Sequence, residues 1–203
     1  MHAFDYVTVL FSFVYALAIA HVLATAGDML RAGRRLIFSW FNAGWMLLSL
    51  VCVVAWWIGV WDLRAQKVWD MGTIGYYFVM ACALYLQARL ACPPIPADGP
   101  VDLQAYHRRE GRKYTTAGAI VALVTAITNA FGGQAQGLAA WSAQNQAIIP
   151  MVLAATAAAV FTRHRWVQAL ALLVQGTMWV WYFAALQPPL VEQASATGLR
   201  ALG

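Results

Sequence analysis

"FDYVTVLFSFVYALAIAHVLATAGDML", residues 4–30, decides the fold. Its apolar residues run on without the strict alternation of a barrel strand, and as a helix rising about 1.5 Å per residue it exceeds the roughly 30 Å of a bilayer's hydrocarbon core. Lipid offers no water to satisfy peptide groups, so such a segment must bond within itself as a helix. The flanks bear on its fate. Ala24-Thr25-Ala26 resembles a leader cleavage site, yet the preceding Met-His-Ala-Phe-Asp carries no lysine or arginine, and the positive charge follows at Arg31, Arg34 and Arg35. A secretory leader has the reverse order, so a retained helix is expected.

The same pattern recurs along the 203 residues, of which 62% are hydrophobic and 10% charged. Soluble domains carry about 25% charged residues, which excludes an ordinary water-soluble chain. Apolar segments near 4–30, 36–61, 71–90, 114–131, 141–161 and 166–186 predict an all-α polytopic membrane protein. The expectation is a single integral membrane domain over 1–203, a six-transmembrane-helix bundle. Ten of the thirteen basic residues fall on one side of that threading, in the connections holding Arg31, Arg34 and Arg35, Arg108, Arg109, Arg112 and Lys113, Arg163 and Arg165, and at Arg89. Arg64, Lys67 and Arg200 fall on the other, so the positive-inside rule puts both termini on the non-cytoplasmic side. The net charge of +5 is then a topology signal, and no nucleic-acid partner is expected. The expected partner is the lipid bilayer, with a homo-oligomer or a membrane partner protein beyond it. Trp40 and Trp166 sit at the cytoplasmic boundary of this threading, and Trp56, Trp57, Trp61, Trp69, Trp141, Trp179 and Trp181 at the outer one.

Two connections stand out. Residues 91–113, "ACPPIPADGPVDLQAYHRREGRK", begin Pro-rich, and Asp102 is placed to cap a short helix with Leu103 and Tyr106 facing the bilayer and His107, Arg108 and Arg109 reaching lipid phosphates. The plainer alternative is a solvated basic loop. Residues 128–146 are polar without formal charge and are expected to form an outer turn, the alternative being a loop that dips back into the bundle or covers an outer vestibule. Pro150 falls inside the fifth segment, where it frees a carbonyl and can kink the axis. Cys52, Cys82 and Cys92 make no disulfide framework and read as apolar fillers or free thiols.

Polar groups at membrane depth are costly and point to function. His21, Thr25 and Asp28 follow at i, i+4 and i+7 on one helix face. Asn42, Gln87, Arg89 and Gln168 reach a similar depth on three other segments. Together they define a candidate inner-leaflet pocket for a small polar solute or protons, since histidine changes charge near neutral pH. The competing reading is structural, because Asn and Gln bond between transmembrane helices at around 0.6 to 2 kcal/mol each. On the first helix Ala16, Ala20 and Ala24 form a small-residue face that admits another helix closely. A candidate aromatic pocket between Trp56 and Trp57 and the run "MWVWYF" with Trp179 and Trp181 would suit a quinone or carotenoid; the cofactor is otherwise unknown.

Several classes find no support. A haem held by two histidines needs both at membrane depth, whereas His2, His107 and His164 lie near ends or in connections. There is no zinc spacing, phosphate-cradling loop, nucleophile with a placed base, intramembrane acidic pair or arginine repeat of a voltage sensor. No catalytic or metal residue is assigned, and catalysis is the less supported class.

The opening "FDYVTVLFSFVYALAIAHVLATAGDML", with the basic turn and tryptophan-rich segment after it, resembles small bacterial multi-pass membrane proteins known mainly as uncharacterised sequences, over about the first 60 residues. The resemblance implies a bacterial inner (cytoplasmic) membrane and brings no activity. Three readings of function follow from the residues: transport or permeation of a small solute or protons through the pocket around His21; a non-catalytic membrane subunit or scaffold binding partner helices or lipid; and a binder of an apolar cofactor.

Overall fold

A computed structural model describes residues 3–60, 63, 69–96, 98–132, 148–162 and 164–185. It holds six α-helices, α1 (Ala3–Ala32), α2 (Trp40–Gly59), α3 (Met71–Ala91), α4 (Leu103–Gly132), α5 (Ile148–Phe161) and α6 (Arg165–Ala185). Two strands of two residues each, β1 (Leu36–Ile37) and β2 (Val101–Asp102), complete it. The expected outer turn lies mostly outside the described residues, as do Arg64, Lys67, Arg163, Arg200, Trp61 and Trp141.

The expectation of six membrane-spanning helices is corrected. Among the described residues four helices are long and apolar enough to cross a membrane, at Phe4–Arg35, Trp40–Gly59, Met71–Ala91 and Arg165–Ala184. The chain is therefore a membrane protein by length and composition, and among the described residues fewer helices qualify as crossings than its apolar segments suggest. α5, at 14 residues, reaches about 21 Å, short of a hydrocarbon core. α4 is long enough but opens with charge, carrying Arg108, Arg109, Glu110, Arg112 and Lys113 in its first half. The second half of the 91–113 connection is in fact the head of this helix, because no proline interrupts the stretch after the Asp102 cap and most of its residues are good helix formers. The threading that put both termini outside rested on six crossings and is not retained.

α2 occupies the centre, in contact with α1, α3, α4 and α6. Around it α1 packs on α3, α3 on α4, α4 on α5 and α5 on α6, while α1 and α6 share no comparable contact. The ring is open there, and Leu47 of α2 lies exposed. The interior is filled by Phe11, Tyr15, Trp45, Val53, Met80, Leu84 and Tyr114. Val9, Phe13, Leu17, Leu170 and Leu173 point outward, as lipid-facing positions do.

One end is built from connections. α1 stops at Gly33, whose φ of +53° suits a residue without a Cβ. Arg34 and Arg35 complete a short 3₁₀ turn, and β1 then pairs in parallel with β2, Leu36 opposite Val101 and Ile37 opposite Asp102. The Pro-rich stretch turns back into β2 at Gly99, φ +90°. Asp102 caps α4, accepting from the amides of Gln104 and Ala105 at 2.8 and 2.9 Å. That cap matches the sequence, but the helix it starts faces inward. Leu103 is fully buried, Tyr106 half-buried, and His107 buried against Phe41, so none of the three turns to the bilayer or its phosphates as expected.

Candidate functional site

The candidate polar residues meet their partners at three separate junctions. The first joins α1 to α3. Arg89, in the last turn of α3, places Nη1 at 3.2 Å from His21 Nε2. A guanidinium has only donors, so Nε2 accepts and the ring proton resides on Nδ1. One turn on, the Thr25 hydroxyl donates to the His21 carbonyl at 3.0 Å and lies beside the Cys92 thiol. Burial pushes that thiol above its ordinary value, with Thr25 and Arg89 opposing. Asp28 turns elsewhere, to Arg31 at 3.0 Å in an exposed pair worth little. The i, i+4, i+7 row thus exists on the helix, but its three members bond in different directions.

The second junction joins α2 to the end of α3. Asn42 is fully buried and its Nδ2 donates to the Ala91 carbonyl at 3.0 Å, while Oδ1 meets no donor. Gln87 sits one turn earlier on α3, buried, with Oε1 likewise without a partner. It packs near Gly118 of α4 and the Trp45 ring, since a Cβ added at Gly118 would lie 3.3 Å from Gln87 Nε2 and 3.8 Å from Trp45 Cζ3.

The third junction ties α2, α5 and α6. Gln168 Oε1 accepts from Trp45 Nε1 at 3.1 Å, and its Nε2 donates to the carbonyls of Ala159 and Thr162 at 2.8 and 2.9 Å. A single buried amide so satisfies an indole N–H and two carbonyls at the end of α5. Trp45 is the residue the sequence reading missed. Its signal was its place three residues after Asn42, which puts both on one face of α2.

At the head of α4, the Tyr106 hydroxyl donates to the Leu90 carbonyl at 2.7 Å, and burial pushes its phenol up to about 12. His107 Nδ1 bonds the Tyr114 hydroxyl one face along, with the His107 ring stacked 5.7 Å from Phe41. Glu110 is held below the usual carboxylate range by Lys113 and Arg109.

The aromatic candidates also divide. Trp56 and Trp179 pack against the core, and Trp179 lies beside Cys52 of α2 and against Tyr182 and Phe183. Trp57 and Trp181 are exposed. An open apolar groove of about 300 Å³ runs between α3 and α4, lined by Gly75, Tyr76, Val79, Ile120 and Val124 and by none of the candidate residues. Among the described residues no group of three or more His, Cys, Asp or Glu could hold a metal ion. No family model, curated protein or solved structure matches the chain.

Proposed function

We propose that this chain is a non-catalytic integral membrane protein of a bacterial inner membrane, a subunit or scaffold that binds lipid and partner helices. The observation that carries this reading is Gln168. Its buried side chain uses its whole amide to join α2, α5 and α6. A site for a polar solute needs such groups converging on one cavity. His21, Asn42 and Gln168 instead stand at three different helix junctions.

The outward face of α1 supplies the partner surface. Ala16, Ala20 and Ala24 are exposed, on the side away from the buried Phe11, Tyr15, Ala18 and Val22. Small residues at every fourth position let a second helix come close, whether from another copy or from a partner protein. Ala20→Leu should abolish co-elution of that second copy or partner from mild detergent, and His21→Ala should leave it intact. A stoichiometric small polar molecule held by the wild type and lost from His21→Ala would overturn the proposal in favour of a solute site.

A further inference from the structure

We infer that the end bearing the basic connections carries a site for an anionic phospholipid, on the flank of α4 that meets the start of α2. This rests on the membrane reading above but not on the α1 partner face. Gln104, Arg108 and Arg112 succeed one another at i, i+4 and i+8, one row along α4. Gln104 Nε2 reaches the Phe38 carbonyl at 3.4 Å, which sets that row beside the edge-to-face pair of Phe38 and Trp40, ring centroids 4.9 Å apart. Those rings are 43% and 81% exposed. Arg34 belongs to the same connection, four residues before Phe38, and the β1–β2 pairing fixes that connection against the root of α4. Two chain segments thus bring cations to the same end of the molecule as this exposed aromatic pair.

Two of these cations, Arg34 and Arg112, are not balanced from within the described residues, where the ion pairs engage Arg31, Arg109 and Lys113. Asp102 is occupied by the first amides of α4, and Glu110, two residues from both Arg108 and Arg112, lies on another face. A phosphodiester offers oxygens in the geometry a guanidinium fork matches, and an indole seats at the junction of headgroup and acyl chain. Phosphatidylglycerol keeps a net negative charge there, whereas the choline of phosphatidylcholine brings a further cation toward the arginines. The site therefore selects the former.

The test is native mass spectrometry of the full chain in mild detergent with equal amounts of phosphatidylglycerol and phosphatidylcholine. The wild type should retain phosphatidylglycerol preferentially. At about 1 kcal/mol per surface cation, Arg34→Gln with Arg112→Gln should lower that preference about 30-fold, while Arg109→Gln with Lys113→Gln should hold it within about twofold. No preference in the wild type, or an equal drop from both pairs, would overturn the site. Because these variants leave Ala20 untouched, failure here and failure of the α1 partner face are read separately.

Discussion

The two ends of the bundle are joined by different chemistry. Where α1 gives way to α2, side chains bond from one element to another: Gln168 to Trp45, Asn42 to Ala91, Tyr106 to Leu90, Arg35 to the carbonyl of Gly99. Where α3 begins, the bonds of Asp70 to Thr73 run within its own helix, and among the described residues rings such as Phe4 and Trp69 meet between elements, 6.3 Å apart. Apolar contact is non-directional and tolerates sliding, whereas a hydrogen bond loses its energy when its angle is lost. The cross-bonded end therefore fixes which helices are neighbours, and the other end is aligned as a consequence.

Gln168→Leu is the substitution that should break this comparison most severely. It strands the Trp45 N–H and the carbonyls of Ala159 and Thr162 in a buried place. The expected loss is about 2 kcal/mol, read from denaturant unfolding in mixed micelles. A loss under about 0.5 kcal/mol would mean that packing alone orders α2, α5 and α6.

How much of this was legible follows from the distance each signal spans. The first helix could be read because its evidence is local, a long apolar run and then three arginines. The Asp102 cap was readable for the same reason, as its partners are two and three residues away. The inward turn of α4 was not, because it depends on the chain reversing at Gly99 so that Tyr106 lands on the end of α3. Leu103, Tyr106 and His107 look like the bilayer face of a surface helix until that reversal is known. Gln168 was singled out in the sequence as a polar residue in an apolar segment, but its indole partner is 123 positions away, too far for helix periodicity to connect the two. The number of crossings failed for another reason: apolar composition marked all six segments, while α5 is short and α4 begins in charge.

Asp70 tests the other end, with a smaller effect confined to the first turn of α3. Its carboxylate accepts from the Thr73 amide and hydroxyl, both at 2.9 Å, and these bonds hold its carboxyl below the usual carboxylate range. A folded value lowered in this way contributes stability that is present above the unfolded value and is lost as the pH falls through the lowered one. Protection of the Thr73 amide from hydrogen exchange should therefore decline as the pH drops below about 4, and Asp70→Ala should remove that dependence. If the decline spread to α2 and α4, the cap would be organising neighbours, and the contrast between the ends would weaken.

Gln87 sharpens the comparison with the smallest expected change. It lies at the cross-bonded end, 2% exposed, yet its Oε1 meets no donor among the described residues. A buried acceptor without a partner carries the cost of leaving water with no return, so an apolar side chain of similar shape removes a penalty and loses no bond. Met is such a side chain, unbranched and able to fill the space beside Gly118 and Trp45. Gln87→Met should leave unfolding within about 0.5 kcal/mol of the wild type, on the stabilising side. A loss above about 1 kcal/mol would place a donor at Gln87 in the bilayer and extend the cross-bonding to the α3–α4 seam. The neutral result would confine it to Asn42, Trp45, Tyr106 and Gln168, where each bond runs from one element to another.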